Sequence, residues 1–422
     1  WVITKHTRTM VRSSPSAEPY YDVLIVGGGL VGASLACALA QASVRVALLD
    51  VQALAGDKSS SNDARAIALS HGSMRILHGI EIGAFLKSEA TPIRHIHVSD
   101  RGHFGFVRLN ADDHDVDAFG FVTDAHCLAL GIHERVHSLE SLSLFAPSVL
   151  GSVEVTEQRV RASISDSSGT RTLHAQLLVA ADGVKSQVRA LMGLEVAYRN
   201  YAQRAITANV RPSRCHSLTA YERFTETGAL ALLPMSNGLC GLIWSVEEVH
   251  AAQLMRASDE EFLASLQKCF GWRLGKFVNC GRRTEFPLAL IKAREKVRPR
   301  LAMIGNAANM VHPIAGQGLN LGLRDVSALA QCVVDALQSG KDPGDLEVLE
   351  RYMGWREADH RTITRFTDSL VRLFAQRNVP ISVGRNLGLL AIDRIPVLKN
   401  TLVEQAMGLS GRQTRLARGL TL

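Results

Sequence analysis

The chain has 422 residues, of which 46% are hydrophobic, 21% charged and 5% aromatic, and its formal net charge is +7. This length and composition exclude a disordered chain and favour a globular protein of two domains. No run approaches the roughly 18 apolar residues of a membrane span, and the first twenty residues lack the apolar core of a secretory signal, which predicts a cytoplasmic protein.

The basic charge is concentrated near the C-terminus. Between Leu370 and Leu422 the basic residues outnumber the acidic Asp393 and Glu404; they are Arg372, Arg377, Arg385, Arg394, Lys399, Arg412, Arg415 and Arg418. Apolar residues are interleaved with them, and two interpretations stay open. The segment is a C-terminal helical cap with a solvated basic face, or it docks peripherally on an anionic inner-membrane surface or on a quinone-biosynthesis complex. Nucleic-acid binding is not expected, because no aromatic motif accompanies the charge.

Cysteine and histidine spacing predicts neither disulfides nor a metal site. The seven cysteines are an odd set without a Cys-x-x-Cys pair, which predicts free thiols in a reducing cytosol. The fifteen histidines show no ligand spacing with acids or cysteines.

Residues 21 to 50 have the pattern of a strand, a glycine-rich turn, a helix and a second strand. Gly27 suits the tight turn, Gly29 the close approach of a pyrophosphate, and Gly32 the packing of helix on strand. Asp50 ends the second strand, where dinucleotide-binding folds hold a ribose hydroxyl. The unit predicts a Rossmann-like nucleotide site and does not by itself distinguish NAD from FAD.

Two later segments repeat the strand-to-helix pattern. Residues 176 to 189 form a buried strand that ends at Asp182 and Gly183, followed by a helix start. Residues 300 to 326 contain a strand, a loop from Pro313 to Gly318 and a helix. The loop glycines let the backbone approach a flat ligand, and amides at a helix start favour an anion or cofactor.

The remaining regions have other residue patterns. Residues 92 to 110 and 200 to 300 contain alternating, β-rich runs that predict an antiparallel or mixed sheet, interrupted by one helix from Asp259 to Phe270. From Asp345 onward the chain is expected to be helical, with breaks at Asn378 to Pro380 and Ile395 to Pro396.

These patterns predict an α/β fold in which a Rossmann-like domain carries an α+β insertion. The predicted parts are an N-terminal extension (1–20), the Rossmann-like domain (21–90, 111–190 and 298–345), an inserted β-sheet substrate domain (91–110 and 191–297) and a C-terminal helical segment (346–422).

The run GlyAsnAlaAlaAsn-x-x-HisProIleAlaGlyGlnGly-x-Asn-x-Gly-x-x-Asp, residues 305 to 325, resembles the second flavin motif of the FAD-dependent aromatic hydroxylases, the family of p-hydroxybenzoate hydroxylase. Together with the glycine fingerprint and Asp182-Gly183, it gives three motifs in that family's order. Intervening runs such as ValSerAspArgGlyHis (98–103) and GluArgPheThr (222–225) extend the resemblance over about residues 21 to 410 and favour the ubiquinone-biosynthesis branch.

The resemblance implies an NAD(P)H-dependent flavoprotein monooxygenase that hydroxylates the ring of a polyprenylated methoxyphenol in ubiquinone biosynthesis. It implies FAD as cofactor, NADPH or NADH as co-substrate, and O2 activation through a C4a-hydroperoxyflavin. The phenol and O2 are the expected partners, and a homo-oligomer is compatible with the sequence. Two alternatives stay open: a FAD-dependent reductase or dehydrogenase on the same fold, and a flavin-binding scaffold subunit of a quinone-biosynthesis complex.

The resemblance also assigns candidate site residues. The residues expected to bind FAD are Gly27, Gly29, Gly32, Asp50, Arg65, Asp182, Gly183, Asn306, Pro313, Gly316, Gly318, Leu319 and Asn320. For the last three the backbone amides are meant, and for Arg65 a surface role is an equal alternative. The catalytic candidates are His312, Pro313 and Gln317. Pro313 is expected near the reactive face of the flavin; His312 is the first candidate for proton transfer, although a structural role is favoured.

The chain departs from the general family pattern at two positions. Asn306 replaces the usual aspartate, and Asn309 replaces the usual histidine. Asparagine still accepts a hydrogen bond but removes a charge, so FAD is expected to bind, with weaker affinity.

Overall fold

The structure is a computed structural model that describes residues 19–54, 65–376 and 378–422. Most of the predicted N-terminal extension and Arg377 of the basic tail lie outside the described residues.

In chain order the strands are β1 (Tyr20–Val26), β2 (Val46–Leu49), β3 (Ala66–Ser70), β4 (Thr91–Ile93), β5 (His95–Asp100), β6 (Phe106–Asn110), β7 (Gly120–Asp124), β8 (Leu142–Phe145), β9 (Val149–Val155), β10 (Val160–Asp166), β11 (Gly169–Ala180), β12 (Val196–Pro212), β13 (Thr219–Thr225), β14 (Gly228–Pro234), β15 (Cys240–Glu247), β16 (Phe277–Cys280), β17 (Thr284–Ala293), β18 (Val297–Arg298), β19 (Leu301–Met303) and β20 (Asn309–Met310).

The helices are α1 (Leu30–Gln41), α2 (His71–Gly79), α3 (Gly83–Glu89), α4 (Ala125–Ser138), α5 (Gln187–Leu191), α6 (Glu248–Arg256), α7 (Asp259–Phe270), α8 (Gln317–Gln338), α9 (Leu346–Ala375), α10 (Val379–Arg394) and α11 (Pro396–Ala406).

The first sheet has the strand order β18-β19-β11-β1-β2-β8, with β10 and β9 extending from β11. Its central strands are parallel, and the apolar runs of β1 and β2 are buried because helices and further strands cover both faces. Val26 pairs with Ala180, and Ala180 pairs with Met303. The carboxyl ends of β1, β11 and β19 therefore lie side by side, and the three motifs follow these ends directly.

The second sheet has the order β20-β17-β12-β15-β14-β13-β5-β6, with β16 on β12. It is mixed, because β13 and β5 run parallel while the other pairs are antiparallel. Its outer face packs under α6 and α7 through large apolar residues: Ile206, Val210, Leu230, Leu232, Leu242, Trp244, Val246, Phe262 and Leu266. Its inner face points toward β3 and the loop that precedes α8, as Ala220 shares a buried cluster with Ala66, and Phe224 shares one with Ile314.

The C-terminal helices agree with the sequence expectations. The predicted breaks are confirmed, since α10 begins after Asn378 and α11 begins after Ile395, each with a proline in its first turn. The predicted helix from Asp259 to Phe270 is also confirmed and starts with a capping box formed by Ser258 and Glu261. Helix α10 is fixed to the second sheet, because the buried Arg385 pairs with Asp100 at 2.8 Å.

Candidate cofactor and substrate site

The three sequence motifs contact one another at the carboxyl edge of the first sheet. A Cβ atom on Gly27 would lie 2.5 Å from the Ala181 carbonyl, so the fingerprint turn packs directly on the Asp182 segment. Val31 packs on both Gly305 and Gly322, where added Cβ atoms would lie 3.1 and 2.8 Å from its side chain. The motifs thus form one continuous backbone surface.

The glycines of the fingerprint turn have different surroundings. Gly27 has φ of +107°, and a Cβ on Gly32 would lie 1.9 Å from the Gly27 oxygen, so both positions need glycine for the fold itself. A Cβ on Gly29 would meet no atom of the described part of the chain within 4 Å. Asp50 accepts hydrogen bonds from the amides of Gly28 at 2.5 Å and Gln52 at 2.7 Å, which orients its carboxylate beside the turn.

Asp182 has one carboxylate oxygen without a hydrogen bond from the described residues. Its Oδ2 accepts a hydrogen bond from the Val188 amide at 3.0 Å, and its Oδ1 is buried with no partner among residues 19–54, 65–376 and 378–422. A buried carboxylate oxygen is costly unless a donor reaches it, so this atom points to a ligand hydroxyl. Gly183, with φ of +76°, forms the turn, and Arg189 on α5 donates to the Ala307 carbonyl at 2.8 Å.

The loop before α8 presents backbone rather than side chains. Gly316 is left-handed at φ +61° and ends the loop, so α8 starts at Gln317 with its first amides pointing out of the helix. A Cβ on Gly318 would meet no atom within 4 Å, and the amides of Gly318 and Leu319 belong to this first turn. Such a turn favours an electron-rich ligand edge.

The Asn320 side chain has a structural task that sequence reasoning missed. It donates to the carbonyls of Ala68 at 3.0 Å and Gly316 at 2.7 Å, and it accepts from the Ser70 amide at 2.9 Å. These bonds tie the start of α8 to β3. Only the backbone of Asn320 was assigned to the cofactor from the sequence, and the side-chain contacts are compatible with that assignment.

His312, Pro313 and Gln317 lie together around this loop. His312 is buried, its Nδ1 accepts from the Ile314 amide at 3.3 Å, and its ring contacts the Tyr201 ring edge to face at 5.3 Å. Burial lowers the pKa of His312 to about 4, so the ring is neutral near pH 7. Pro313 is half-buried and its carbonyl accepts from Gly316; Gln317 is buried as the first residue of α8.

The two asparagines that depart from the family pattern have different surroundings. Asn306 is exposed in the turn after β19. Asn309 is buried, and its amide lies 3.0 Å from Nδ1 of His360, while Nε2 of the same ring lies 2.6 Å from Oδ1 of Asp325. Asn309 thus contributes to a buried polar cluster behind the loop.

That cluster holds α8 against α9. Asp325 also accepts from Arg356 at 2.7 Å, and Lys296 lies 2.5 Å from His360. Although burial opposes ionisation, the charges of His360 and Arg356 keep the pKa of Asp325 below its ordinary value. Burial lowers the pKa of Lys296 to about 8. The cluster fixes the helix that begins at the loop.

Arg65 lies where the two sheets approach each other. Its guanidinium stands 4.5 Å over the Phe286 ring on β17, and its carbonyl accepts from the Ala125 amide. The side chain is exposed beside β3, next to the inner face of the second sheet.

Glu222, on the inner face of β13, was not identified as a site residue from the sequence. Its neighbours across the sheet are Val98 and Ala231. Burial raises the pKa of Glu222 to about 7. The sequence shows only that Glu222 lies on the same face of its strand as Ala220 and Phe224. That pattern indicates a site only when the structure shows what this face of the sheet contacts.

Among the described residues, no group of three or more histidine, cysteine or acidic side chains could hold a metal ion. In the same part of the chain, none of the helices combines the length and the hydropathy needed to cross a membrane.

Comparison with known proteins agrees with this geometry. The family model described as FAD binding domain matches residues 20–367. The chain is 36% identical to ubiquinone hydroxylase UbiL of Rhodospirillum rubrum, over 96% of this chain and 95% of that protein. It is 30% identical to 3-demethoxyubiquinol 3-hydroxylase of Escherichia coli, over 92% and 98% of the two chains.

A solved structure gives the same fold. The crystal structure of p-nitrophenol 4-monooxygenase PnpA from Pseudomonas putida DLL-E4 matches with a TM-score of 0.77 at 19% identity, covering 94% of this chain and all of that one. The predicted α/β FAD-binding fold and the FAD cofactor, with NAD(P)H as co-substrate, are confirmed.

Proposed function

Because the chain belongs to the FAD-binding family of aromatic hydroxylases, in the group of ubiquinone-biosynthesis enzymes, we propose that it hydroxylates the ring of a polyprenylated methoxyphenol with NAD(P)H and O2. The convergence of three motifs beside an apolar sheet face supports the proposal most directly. A phenolic ring needs such an apolar pocket next to the cofactor.

The residues present fit FAD. Among the residues that the structure describes, the open space at Gly29 suits a pyrophosphate, and the unpaired buried Oδ1 of Asp182 suits a polyol hydroxyl. The open space at Gly318 and the first amides of α8 suit the polar edge of a flat ring. Asp50 is oriented for a ribose hydroxyl. When bound, FAD supplies the activation of O2 and the transfer of one oxygen atom.

The surroundings of the loop are apolar. Ile314 belongs to a buried cluster with Phe224 and Ala229, and Phe374 of α9 stacks on Phe224 with 3.5 Å between ring centroids. A dry pocket protects reactive oxygen species from side reactions and strengthens electrostatic contacts. Loop amides would orient the cofactor, and the sheet would orient the phenol.

The same cluster leads toward the surface through α9. Leu370 and Val371 pack against this cluster. Leu373, two residues further along α9, is 39% exposed. Further exposed apolar residues lie on α10, on α11 and at the junction between them: Ile381, Val383, Leu387, Ile395, Val397 and Leu398. We propose that this C-terminal apolar surface lies on the membrane and guides the prenyl chain toward the loop.

Vesicle binding tests the membrane proposal. Val397→Glu should weaken sedimentation of the protein with anionic phospholipid vesicles, because Val397 is 73% exposed within this surface. Val249→Glu is the matched control, since Val249 is 74% exposed on α6, which covers the outer face of the second sheet. Equal binding of both variants and the wild type would rule the surface out.

A glycine substitution tests the cofactor assignment. Gly29→Ala adds a methyl group in open space, so the fold should persist while the FAD content of the purified protein falls. Gly354→Ala is the control, because its Cβ also meets nothing within 4 Å, inside α9. Full FAD content in Gly29→Ala would contradict a pyrophosphate at this turn.

Deletion of the gene in the source cells tests the pathway. Mass spectrometry of lipid extracts should show a prenylated methoxyphenol one oxygen atom short of the next quinol precursor. Re-expression of the wild-type chain should remove it. An unchanged quinone profile would contradict the proposed pathway and leave the substrate to be found elsewhere.

A further inference from the structure

Glu222 lies on the inner face of the second sheet, between two residues of β13 that contact β3 and the loop before α8. Side chains alternate along a strand, so Glu222 points to the same face as Ala220 and Phe224. Ala220 shares a cluster with Ala66 at the start of β3, and Phe224 shares one with Ile314 of the loop. The Glu222 carboxyl therefore lies over the gap between β3 and the loop.

The alternate residues of β13 point to the other face of the sheet, which confirms the orientation of Glu222. Tyr221 contacts the ring of Phe270, and Arg223 donates to the Cys269 carbonyl, both at the end of α7 on the outer face. Glu222 retains some accessible surface, as expected for a side chain that borders a pocket rather than a filled core.

The carboxyl has no partner within the described ranges of the chain. No hydrogen bond or ion pair reaches it there, and its sheet neighbours on the same face are Val98, Ala231 and, one strand further, Ile243. Burial is the cause of its raised pKa, which lies near 7. An unpaired carboxyl in apolar surroundings is costly and is a common sign of function.

The other titratable groups around this gap already contact other residues. Arg65 stands over the Phe286 ring, and Asp100 is paired with Arg385. His312 accepts from the Ile314 amide with its Nδ1, which leaves its Nε2 carrying hydrogen in the neutral ring. Glu222 is thus the better-placed proton acceptor.

We infer that Glu222 is the catalytic base that accepts the proton of the substrate phenol during ring hydroxylation. The inference rests on the proposed function. A phenol attacks an electrophilic oxygen far better as its phenolate, because the ionised oxygen raises the electron density of the ring. A carboxylate beside the ring supplies this activation without help from solvent.

The proton transfer is balanced. The phenol O–H bond breaks and a Glu222 O–H bond forms, with no change in oxidation state. The phenolic oxygen becomes a carbonyl as the ring carbon bonds to one oxygen atom of the O2-derived oxidant that bound FAD would supply, and the O–O bond of that oxidant breaks. When the ring becomes aromatic again, the ring carbon loses its hydrogen as a proton, which neutralises the oxygen anion left by the O–O cleavage. Glu222 returns its own proton to the phenolic oxygen, so the carboxylate is restored for the next turnover.

Glu222→Gln tests the assignment, because it keeps the shape and removes the acceptor. The probe is a 2-methoxyphenol with a short prenyl chain, assayed with the FAD-loaded enzyme. Above pH 7 the variant should lose about 100-fold or more in kcat, within the usual range for a general base. The wild-type rate should rise with pH through about 7, and this rise should be absent in the variant.

Two further variants separate chemistry from structure. Glu222→Asp keeps a retracted carboxylate and should have an intermediate rate with the pH dependence retained. Glu285→Gln is the matched control on the same sheet: Glu285 pairs with Arg204 at 2.9 Å and is partly exposed on the opposite face, so its rate should match the wild type. Infrared spectroscopy should show a protonated-carboxyl band in the wild type near pH 6 that Glu222→Gln lacks.

Three results of these assays would overturn the assignment of Glu222. An active wild type whose Glu222→Gln variant keeps both its rate and its pH profile would overturn the base. Loss of rate with an unchanged pH profile would also overturn it, since a merely structural role has that result. A wild type that binds FAD but oxygenates no methoxyphenol would overturn the proposed function and this inference together.

Discussion

The two faces of the second sheet differ in what fills them. The outer face holds large apolar side chains such as Trp244, fully buried and in edge-to-face contact with Phe262 at 5.9 Å. The inner face carries small residues at its centre: Ala205, Ala220, Ala229, Ala231 and Gly241. Outer residues fill the space between the sheet and its helices, whereas the small inner residues border the side on which the substrate is proposed to bind.

The largest expected effect is on the outer face. Trp244→Ala removes a fully buried indole and should lower the free energy of unfolding by about 3–5 kcal/mol. Urea unfolding followed by circular dichroism measures this loss. The FAD bound per folded molecule should not change, because the sheet itself separates its outer face from the cofactor side. A large drop in FAD affinity of the folded fraction would contradict the separation of the two faces.

An intermediate effect is expected from Glu222→Gln on stability. Since the folded-state pKa of Glu222 is raised to about 7, its favourable contribution is present below about pH 4.5 and is lost as pH rises through 7. The variant removes a buried charge, so at pH 8 it should be more stable than the wild type by on the order of 2 kcal/mol, with no gain near pH 4.5. Urea unfolding at both pH values measures it. A gain of equal size at both would show that the charge is not its cause.

The smallest effect on the fold is expected from enlargement of the inner face. Ala231→Phe should reduce phenol turnover by about tenfold or more by occupying the pocket beside Glu222, a loss of about 1.4 kcal/mol in transition-state binding. FAD content should stay the same. Val249→Phe, on the exposed side of α6, is the control and should turn over normally. Unchanged turnover in Ala231→Phe would place the substrate away from this face.

The strand-turn-helix-strand unit was predictable because its determinants are local: Gly27 and Gly32 pack as their spacing indicates. The roles of Gly29 and Asp50 toward a cofactor stay predictions. The C-terminal breaks at Asn378 and Ile395 were readable for the same reason, since proline follows each closely.

The inner face was not predictable because it depends on distant pairing. The role of Glu222 depends on β13 lying parallel to β5, more than a hundred residues earlier, and on Ile314 reaching Phe224. In the same way, the Asn320 side chain joins β3 across 250 positions, and Asn309 meets His360 inside the buried cluster. Sequence periodicity gives the faces of each strand but not which partner covers them.

Oxygen incorporation tests the central claim most directly. The FAD-loaded protein would be supplied with NAD(P)H, a prenylated 2-methoxyphenol and isotopically labelled O2, and the product would be examined by mass spectrometry. The structure predicts one labelled oxygen atom in the ring, with reductant consumed in proportion. Reductant consumption that yields only hydrogen peroxide or reduced substrate, with no label in the ring, would contradict a hydroxylase.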